Sequence, residues 1–276
     1  ASEIIAKRKI GFGSDKNGRP AIFNKESEYA YRLGISDELK FRTNRKSYPE
    51  IIYEMCGLEY MRDRYILNLS KPEIMQARHK LACSGINKED FVIGLNTGAG
   101  ARFANKMWSF EKHKSLIEEM LEIGAHPGSS PGFLGRNTEP AIVSCGGRMY
   151  KNIKILLLGG RMEKGLNQAL KAVFKDKIYD SGNTNSLREF ASIIKHCNVI
   201  ITGDTLAMHI AIALNKYVIA IFGPTCSQEI ELYDNGAKIV SDIECSPCYK
   251  RHCYKKDNCM SRIRIEDILD KIVLFE

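Results

Sequence analysis

No apolar run in the 276-residue sequence approaches the ~20 residues that a helix needs to cross a bilayer. The opening residues, ASEIIAKRKI, lack the pattern of a secretory signal. The chain begins on Ala1 rather than methionine, so it is expected to be processed or part of something longer. No GK[ST] follows the glycine turn GLNTGAG, which excludes a Walker phosphate loop. Internal repeats and low-complexity tracts are also lacking. The basic residues that thicken near the end (Lys250, Arg251, Lys255, Lys256, Arg262, Arg264) are not interleaved with stacking aromatics, so a nucleic-acid partner is not expected.

What is present suits a globular protein with anionic partners. Hydrophobic residues make up 44% of the chain and charged ones 27%, enough to bury sizeable cores. The formal charge of +8 favours nucleotides, nucleic acid or acidic lipid without choosing among them. Of the nine cysteines, Cys56, Cys83, Cys145, Cys197 and Cys226 are scattered and read as inert thiols. The other four, Cys245, Cys248, Cys253 and Cys259, have the spacing C-x2-C-x4-C-x5-C. Four thiolates so placed suit a structural zinc or an iron–sulfur cluster; the competing reading is a reduced or partly disulfide-linked turn. Neither gives a catalytic centre, because four protein ligands leave no open position. Without a secretion signal, a reducing, cytoplasmic compartment is expected.

From Phe91 onward, short apolar runs alternate with amphipathic stretches. FVIGLNTG, IKILLLGG, NVIITG and YVIAIFG read as strands apolar on both faces. Between and after them, FEKHKSLIEEMLEIG, EKGLNQALKAVFKD, SLREFASIIKHC and LAMHIAIALN read as helices. This is the pattern of an α/β, Rossmann-like doubly wound parallel sheet. Residues 87–276 are therefore expected to form one domain. Residues 124–152 form a Gly/Pro/Ser-rich loop insertion within it. Residues 1–86 are less regular: RKIGFG reads as a strand, residues 47–60 and 71–85 as helices. They resemble the remainder of a second domain.

Ligands of such sheets bind where strands turn into helices at their carboxyl ends. That rim carries Thr97 and Gly98, the GG of 159–160, and the GDT of 203–205. A helix start attracts phosphate through its unpaired N–H groups. Thr205 offers a hydroxyl there, and Leu206 and Ala207 offer amides. Asp204 repels phosphate and is better employed on sugar hydroxyls. His209, one turn on from Thr205, reaches the same face. Lys106, after the glycine turn, suits a diphosphate, supported by amides near Thr97 and Gly98. The bland alternatives stay open: Asp204 as a helix cap, His209 as a core histidine, Lys106 as a solvated loop residue.

Taken together, GDTLAMHIAIAL, a strand, FGPT and then CSPCYKRHC…CM resemble the C-terminal half of glycosyltransferase family 9, the lipopolysaccharide heptosyltransferases and their relatives. IGLNTGAG…KMWSFEKHKSLIEEM is similar to the opening of that family's C-terminal domain, and GRPAIFNKESEYA…EIIYEMCGLEY to the late part of its N-terminal domain. The resemblance implies a GT-B architecture with a nucleotide-sugar in the C-terminal domain. Thr97 and Lys106 match diphosphate contacts, Glu163 a carboxylate on the nucleoside side, and Asp204, Thr205 and His209 sugar and diphosphate contacts. Leu206 departs from the glycine that often follows GDT. The family's N-terminal opening, with its presumed base loop, has no match, so the catalytic base is unassigned.

The activity so implied is inverting transfer of a sugar, heptose from ADP-heptose being favoured, to a lipopolysaccharide-core or related glycan or glycolipid acceptor, with no cofactor needed for transfer. A glycolipid acceptor implies a peripheral position on the cytoplasmic face of the inner membrane. The alternative is a catalytically silent nucleotide-sugar-binding module.

Overall fold

The structure, a computed structural model, describes residues 6–100, 105–125, 143–145, 148–150 and 152–273. It divides into two compact units, Ala1–Arg64 with Cys226–Tyr233, and Tyr65–Thr225 with Asp234–Glu276.

In the first unit, β1 (Phe12–Ser14) pairs antiparallel with β2 (Pro20–Ile22). Asp15 Oδ1 closes their turn by accepting from the amides of Asn17 and Arg19, each at 2.8 Å. Two helices follow, α1 (Glu28–Ile35) and α2 (Tyr48–Met55), the latter started by Ser47, whose side chain accepts from Glu50 N, with Pro49 in the first turn. Asn24 ties hairpin to helix, accepting from Gly11 N at 2.7 Å and donating to Met55 O at 2.8 Å. Residues Cys226–Tyr233 join through the Tyr48 amide on Glu229 O at 2.7 Å and the Tyr233 hydroxyl on Asp63 O at 2.8 Å.

The second unit holds a six-stranded parallel sheet in the order β10-β9-β8-β3-β6-β7. Its elements in chain order are α3 (Lys71–Cys83), β3 (Asp90–Asn96), α4 (Phe110–Ala125), β4 (Val143–Cys145), β5 (Arg148–Tyr150), β6 (Asn152–Leu158), α5 (Lys164–Phe174), β7 (Ile178–Asp180), α6 (Leu187–Lys195), β8 (Val199–Gly203), α7 (Leu206–Ala213), β9 (Tyr217–Phe222), β10 (Gly236–Val240), α8 (Cys259–Arg262) and α9 (Ile265–Val273). β4 and β5 form a separate antiparallel pair. With Asn152, the first residue of β6, they are the described part of the expected 124–152 insertion beyond the end of α4; its remainder lies outside the described residues.

Helices on both faces force the inner strands to be apolar throughout. All seven positions of β3 are buried, and Leu156, Leu157 and Leu158 of β6 are fully so. This is the expected doubly wound α/β class, with two short strands, β7 and β10, added at the edges of the sheet.

The units divide after Arg64, whereas the sequence pattern places a boundary near 86. The reason is α3, which is fastened to α6. Arg188 grips Glu73, with Nη2 2.7 Å from Oε2, and also donates to Asn68 O at 2.9 Å. His196 Nε2 lies 2.9 Å from Ile74 O. The Arg188 guanidinium, with help from Ser70, holds the Glu73 carboxyl down at about 2.

Gly94, at the middle of β3, sets how closely the layers pack. A Cβ there would lie 2.6 Å from Ile200 Cδ1, 2.9 Å from Leu158 Cδ1 and 3.0 Å from Cys197 Sγ. Overpacking at such a site costs about 1–3 kcal/mol. Gly94→Ala is therefore expected to lower the stability measured by urea denaturation by that amount. An unchanged midpoint would mean that the central strand is not packed this tightly.

Candidate functional site

The strand order reverses between β3 and β8: from β3 the chain proceeds to β6 and β7 on one side, then returns to β8, β9 and β10 on the other. Crossovers leaving in opposite directions open a crevice at the carboxyl ends of the strands. A cavity of about 440 Å³ lies there, lined by the β3 turn (Asn96, Gly98–Gly100), Gly159–Glu163 after β6, Asn185–Leu187 and Phe190 at the start of α6, and Thr205–Ala207 at the start of α7.

Two glycines seat Glu163 on its wall. A Cβ on Gly98 would stand 2.4 Å from Glu163 Cδ, and one on Gly159 would stand 2.8 Å from Glu163 Cβ. The carboxylate thus folds back over the glycine turns, and its Oε2 accepts from Gly160 N at 2.8 Å. Ser186 caps α6 in a capping box with Glu189, accepting from Glu189 N while Glu189 accepts from Ser186 N. α7 differs. Its N-cap Thr205 makes no side-chain cap bond, so the first amides of α7 face the cavity without a side-chain partner from the cap.

Of the residues expected at the site, Gly98, Glu163, Thr205 and Leu206 line this one cavity. Leu206 is 60% exposed and stands at its lip. Thr97 lies beneath it and is buried; its hydroxyl donates to Asn167 Oδ1 at 2.6 Å and its amide to Leu158 O at 3.2 Å. Neither group is turned toward the cavity, so the diphosphate contact expected of Thr97 is not formed by its side chain or its own N–H here. Lys106 and Asp204 are beside the cavity and hold each other, with Nζ 3.2 Å from Asp204 Oδ2 and 2.9 Å from Asp204 O. Their side chains are 13% and 21% exposed, so water screens the pair only in part. His209 sits one turn into α7, its ring 6.4 Å from that of Tyr65. Burial, aided by Lys106 and opposed by Asp204, pushes its pKa below the ordinary value, which leaves the imidazole neutral at pH 7.

Sequence reasoning missed Asn96, Asn167 and the α6 start. The Ser186…Glu189 spacing is a readable capping signal; nothing in the local pattern singles out the two asparagines.

The four clustered cysteines do not form the expected metal site. Cys259 opens α8 and is buried, Cys248 is half-buried, and Cys245 and Cys253 face solvent. Burial first, then the neighbouring thiols of Cys248 and Cys253, push the Cys259 thiol up to about 11. Lys255 Nζ approaches Cys245 Sγ at 3.5 Å. Among the described residues, no three His, Cys, Asp or Glu side chains come together closely enough to hold a metal ion. The spacing brings the sulfurs into one neighbourhood without converging them on a point.

Residues 149–258 match the model of glycosyltransferase family 9 (heptosyltransferase). Over that stretch the chain resembles family 9. It is 27% identical over 157 residues to lipooligosaccharide heptosyltransferase 2 of Campylobacter jejuni, covering 54% of this chain and 50% of that protein. It thus spans about half the length of that curated relative. Among solved structures, the glycosyl transferase family 9 protein of Veillonella parvula superposes with a TM-score of 0.60 at 15% identity, covering 85% of this chain and 61% of that one. The ADP-heptose lps heptosyltransferase II of E. coli gives 0.52 at 16% identity, covering 76% and 53%. These likenesses support the GT-B type of fold. The family 9 match contains Glu163, Asp204, Thr205, Leu206, His209, Cys245, Cys248 and Cys253; it begins after Thr97, Gly98 and Lys106 and ends just before Cys259.

Below the cavity, a hollow of about 20 Å³ touches Thr97, Lys106, Trp108 and His113. Burial holds the His113 imidazole down at about 4, only partly offset by its contact with Ser109 O at 3.0 Å. Below the ordinary value of 6.5 the unfolded chain takes up a proton here that the folded protein refuses. Stability is therefore lost as pH falls from 6.5 toward 4, by about 3 kcal/mol at the lower end. In urea titrations at pH 7 and pH 4.5, His113→Phe should show a smaller drop than the wild type. Equal drops would remove His113 as the cause.

Proposed function

We propose that the second unit holds the diphosphate sugar of a nucleotide-sugar donor in the cavity between β3, β6 and β8. In the full protein, it serves the transfer of heptose from ADP-heptose to a lipopolysaccharide-core or related glycan acceptor. The observation that carries the reading is the α7 start: an uncapped helix terminus, with the Thr205 hydroxyl beside it, facing a cavity at the switch point of the sheet. An anion is stabilised there by N–H donors and by the helix dipole together.

In this reading the amides of Leu206 and Ala207, the Thr205 hydroxyl and the Gly98 turn hold the diphosphate. Glu163, folded over the glycines, faces the nucleoside side. The Lys106–Asp204 pair separates its roles when the donor enters: the diphosphate takes the ammonium and Asp204 turns to the sugar hydroxyls. The acceptor oxygen bonds to the anomeric carbon as the bond from that carbon to the diphosphate breaks. The nucleoside diphosphate leaves with the electron pair, and the acceptor proton passes to a base that no residue of this chain is assigned to supply. The departing charge is stabilised by Lys106 and the helix amides, preorganised before reaction. No helix among the described residues is long and apolar enough to cross a membrane. In this reading a lipid-linked acceptor is met from a peripheral position on the cytoplasmic face.

Thermal-shift titration with ADP, UDP and GDP tests the reading. A ligand at 100 times its dissociation constant stabilises the fold by about 2.7 kcal/mol. The expected result is a shift with ADP, reduced by Lys106→Ala, which removes a charged contact worth about tenfold or more in affinity. A shift confined to UDP or GDP would change the donor assigned. No shift with any of the three would remove the nucleotide-binding role.

A further inference from the structure

Asn96 ends β3 at the point where the chain turns over the cavity, and it is 9% exposed. Its side-chain amide faces three acceptors: Nδ2 lies 3.1 Å from Gly98 O, 3.2 Å from Thr202 Oγ1 and 3.3 Å from Thr205 Oγ1. An amide has two hydrogens. One goes to Gly98 O, which fixes the turn; the other is shared between the two threonine oxygens in a three-centre bond.

The threonine protons can then be followed. Thr202 Oγ1 donates to Gly203 O at 2.9 Å, which uses its one proton. Thr202 Oγ1 and Thr205 Oγ1 are 3.0 Å apart, so the proton between them is Thr205's. Were it to turn away, two oxygens would face each other with only the Asn96 N–H to hold them. That N–H is in place.

We infer that Asn96 is a positioning residue that keeps the Thr205 hydroxyl proton available to an anionic oxygen of the ligand. Because the amide already donates to both oxygens, Thr205 can aim its proton into the cavity without leaving an unbridged oxygen pair behind. Without the amide, that proton is needed between the threonines. The inference rests on the nucleotide-diphosphate reading and assigns to that site a residue outside the family 9 match.

Isothermal titration of the whole chain with ADP and with adenosine tests it. Asn96→Leu keeps the approximate shape and removes the N–H without adding charge. It is expected to weaken ADP by about tenfold to hundredfold, the value of a hydrogen bond to a charged group, and to leave adenosine unchanged. Thr205→Val should cost a similar factor, and adding Asn96→Leu to it should cost less than about twofold more, since the two act through one hydroxyl. Where thermal melting shows that Asn96→Leu unsettles the fold, Asn96→Asp replaces it in the same cycle. The repulsion of its charge is then the part that persists in the Thr205→Val background. Losses that simply add, or that strike adenosine as hard as ADP, would overturn the positioning role and leave the site reading standing. A wild-type chain that binds none of ADP, UDP and GDP would overturn both.

Discussion

β3 is hydrogen-bonded on both sides, in register with β6 from Asp90↔Asn152 to Asn96↔Leu158 and with β8 from Ile93↔Val199 to Leu95↔Ile201. Parallel pairing of a strand with two neighbours cannot be made by tight turns; each neighbour must be reached by a crossover through a helix. The crossovers on the two sides of β3 leave in opposite directions, and the space between them at the carboxyl end is where the cavity lies. Asn198 reinforces the seam, its amide donating to Val92 O and its Oδ1 accepting from Val92 N, both at 2.8 Å. The glycine turns, the Asn96 network and the α7 start all hang from that central strand. A disturbance at Gly94 is therefore felt at the site as well as in the core.

The charges around the cavity are arranged so that none is spent against the fold alone. Glu163 lies on Gly98 and Gly159 and satisfies Gly160 N, which keeps a carboxylate on one wall without burying it unpaired. Lys106 is held by Asp204 a short distance away. A partly buried pair of this kind has little net stability of its own, since desolvation offsets much of the attraction. What it does is keep an ammonium and a carboxylate at the rim in fixed places, where a ligand carrying more than one negative charge competes well for the cation.

The sheet was legible because its inner strands are buried on both faces. β3, β6, β8 and β9 each appear as an apolar run ending in a glycine or polar turn. The edge strands β7 (IYD) and β10 (GAKIV) were not, because a short strand with one neighbour mixes polar and apolar residues as loops do. The place of α3 was also hidden: its tie to α6 runs through Arg188 and Glu73, 115 residues apart, and helical periodicity holds no trace of such a partner. At the site, GDT and the carboxylate after GG were readable as chemistry. Thr97 was readable only as a rim residue, since which way the last strand residue turns depends on Asn167 beneath it. The cysteine spacing was readable too, but spacing limits how far apart the sulfurs can be and not whether they converge.

Leu206, where a glycine would leave more room, brings these points together. Leu206, the first residue of α7, lines the cavity and is exposed at its lip. The dipole of a helix end contributes about 0.3–1 kcal/mol to an anion in an exposed setting, and up to about 2 kcal/mol where partly buried. A hydrogen bond to a charged group contributes about 1.5–3 kcal/mol. Two amides and one correctly aimed hydroxyl therefore outweigh the dipole, and the aim of that hydroxyl becomes the larger variable. It is set by Asn96 and Thr202 rather than by α7 itself. In the proposed reading, the grip of this site on phosphate is thus decided by the end of β3 as much as by the helix that faces the ligand.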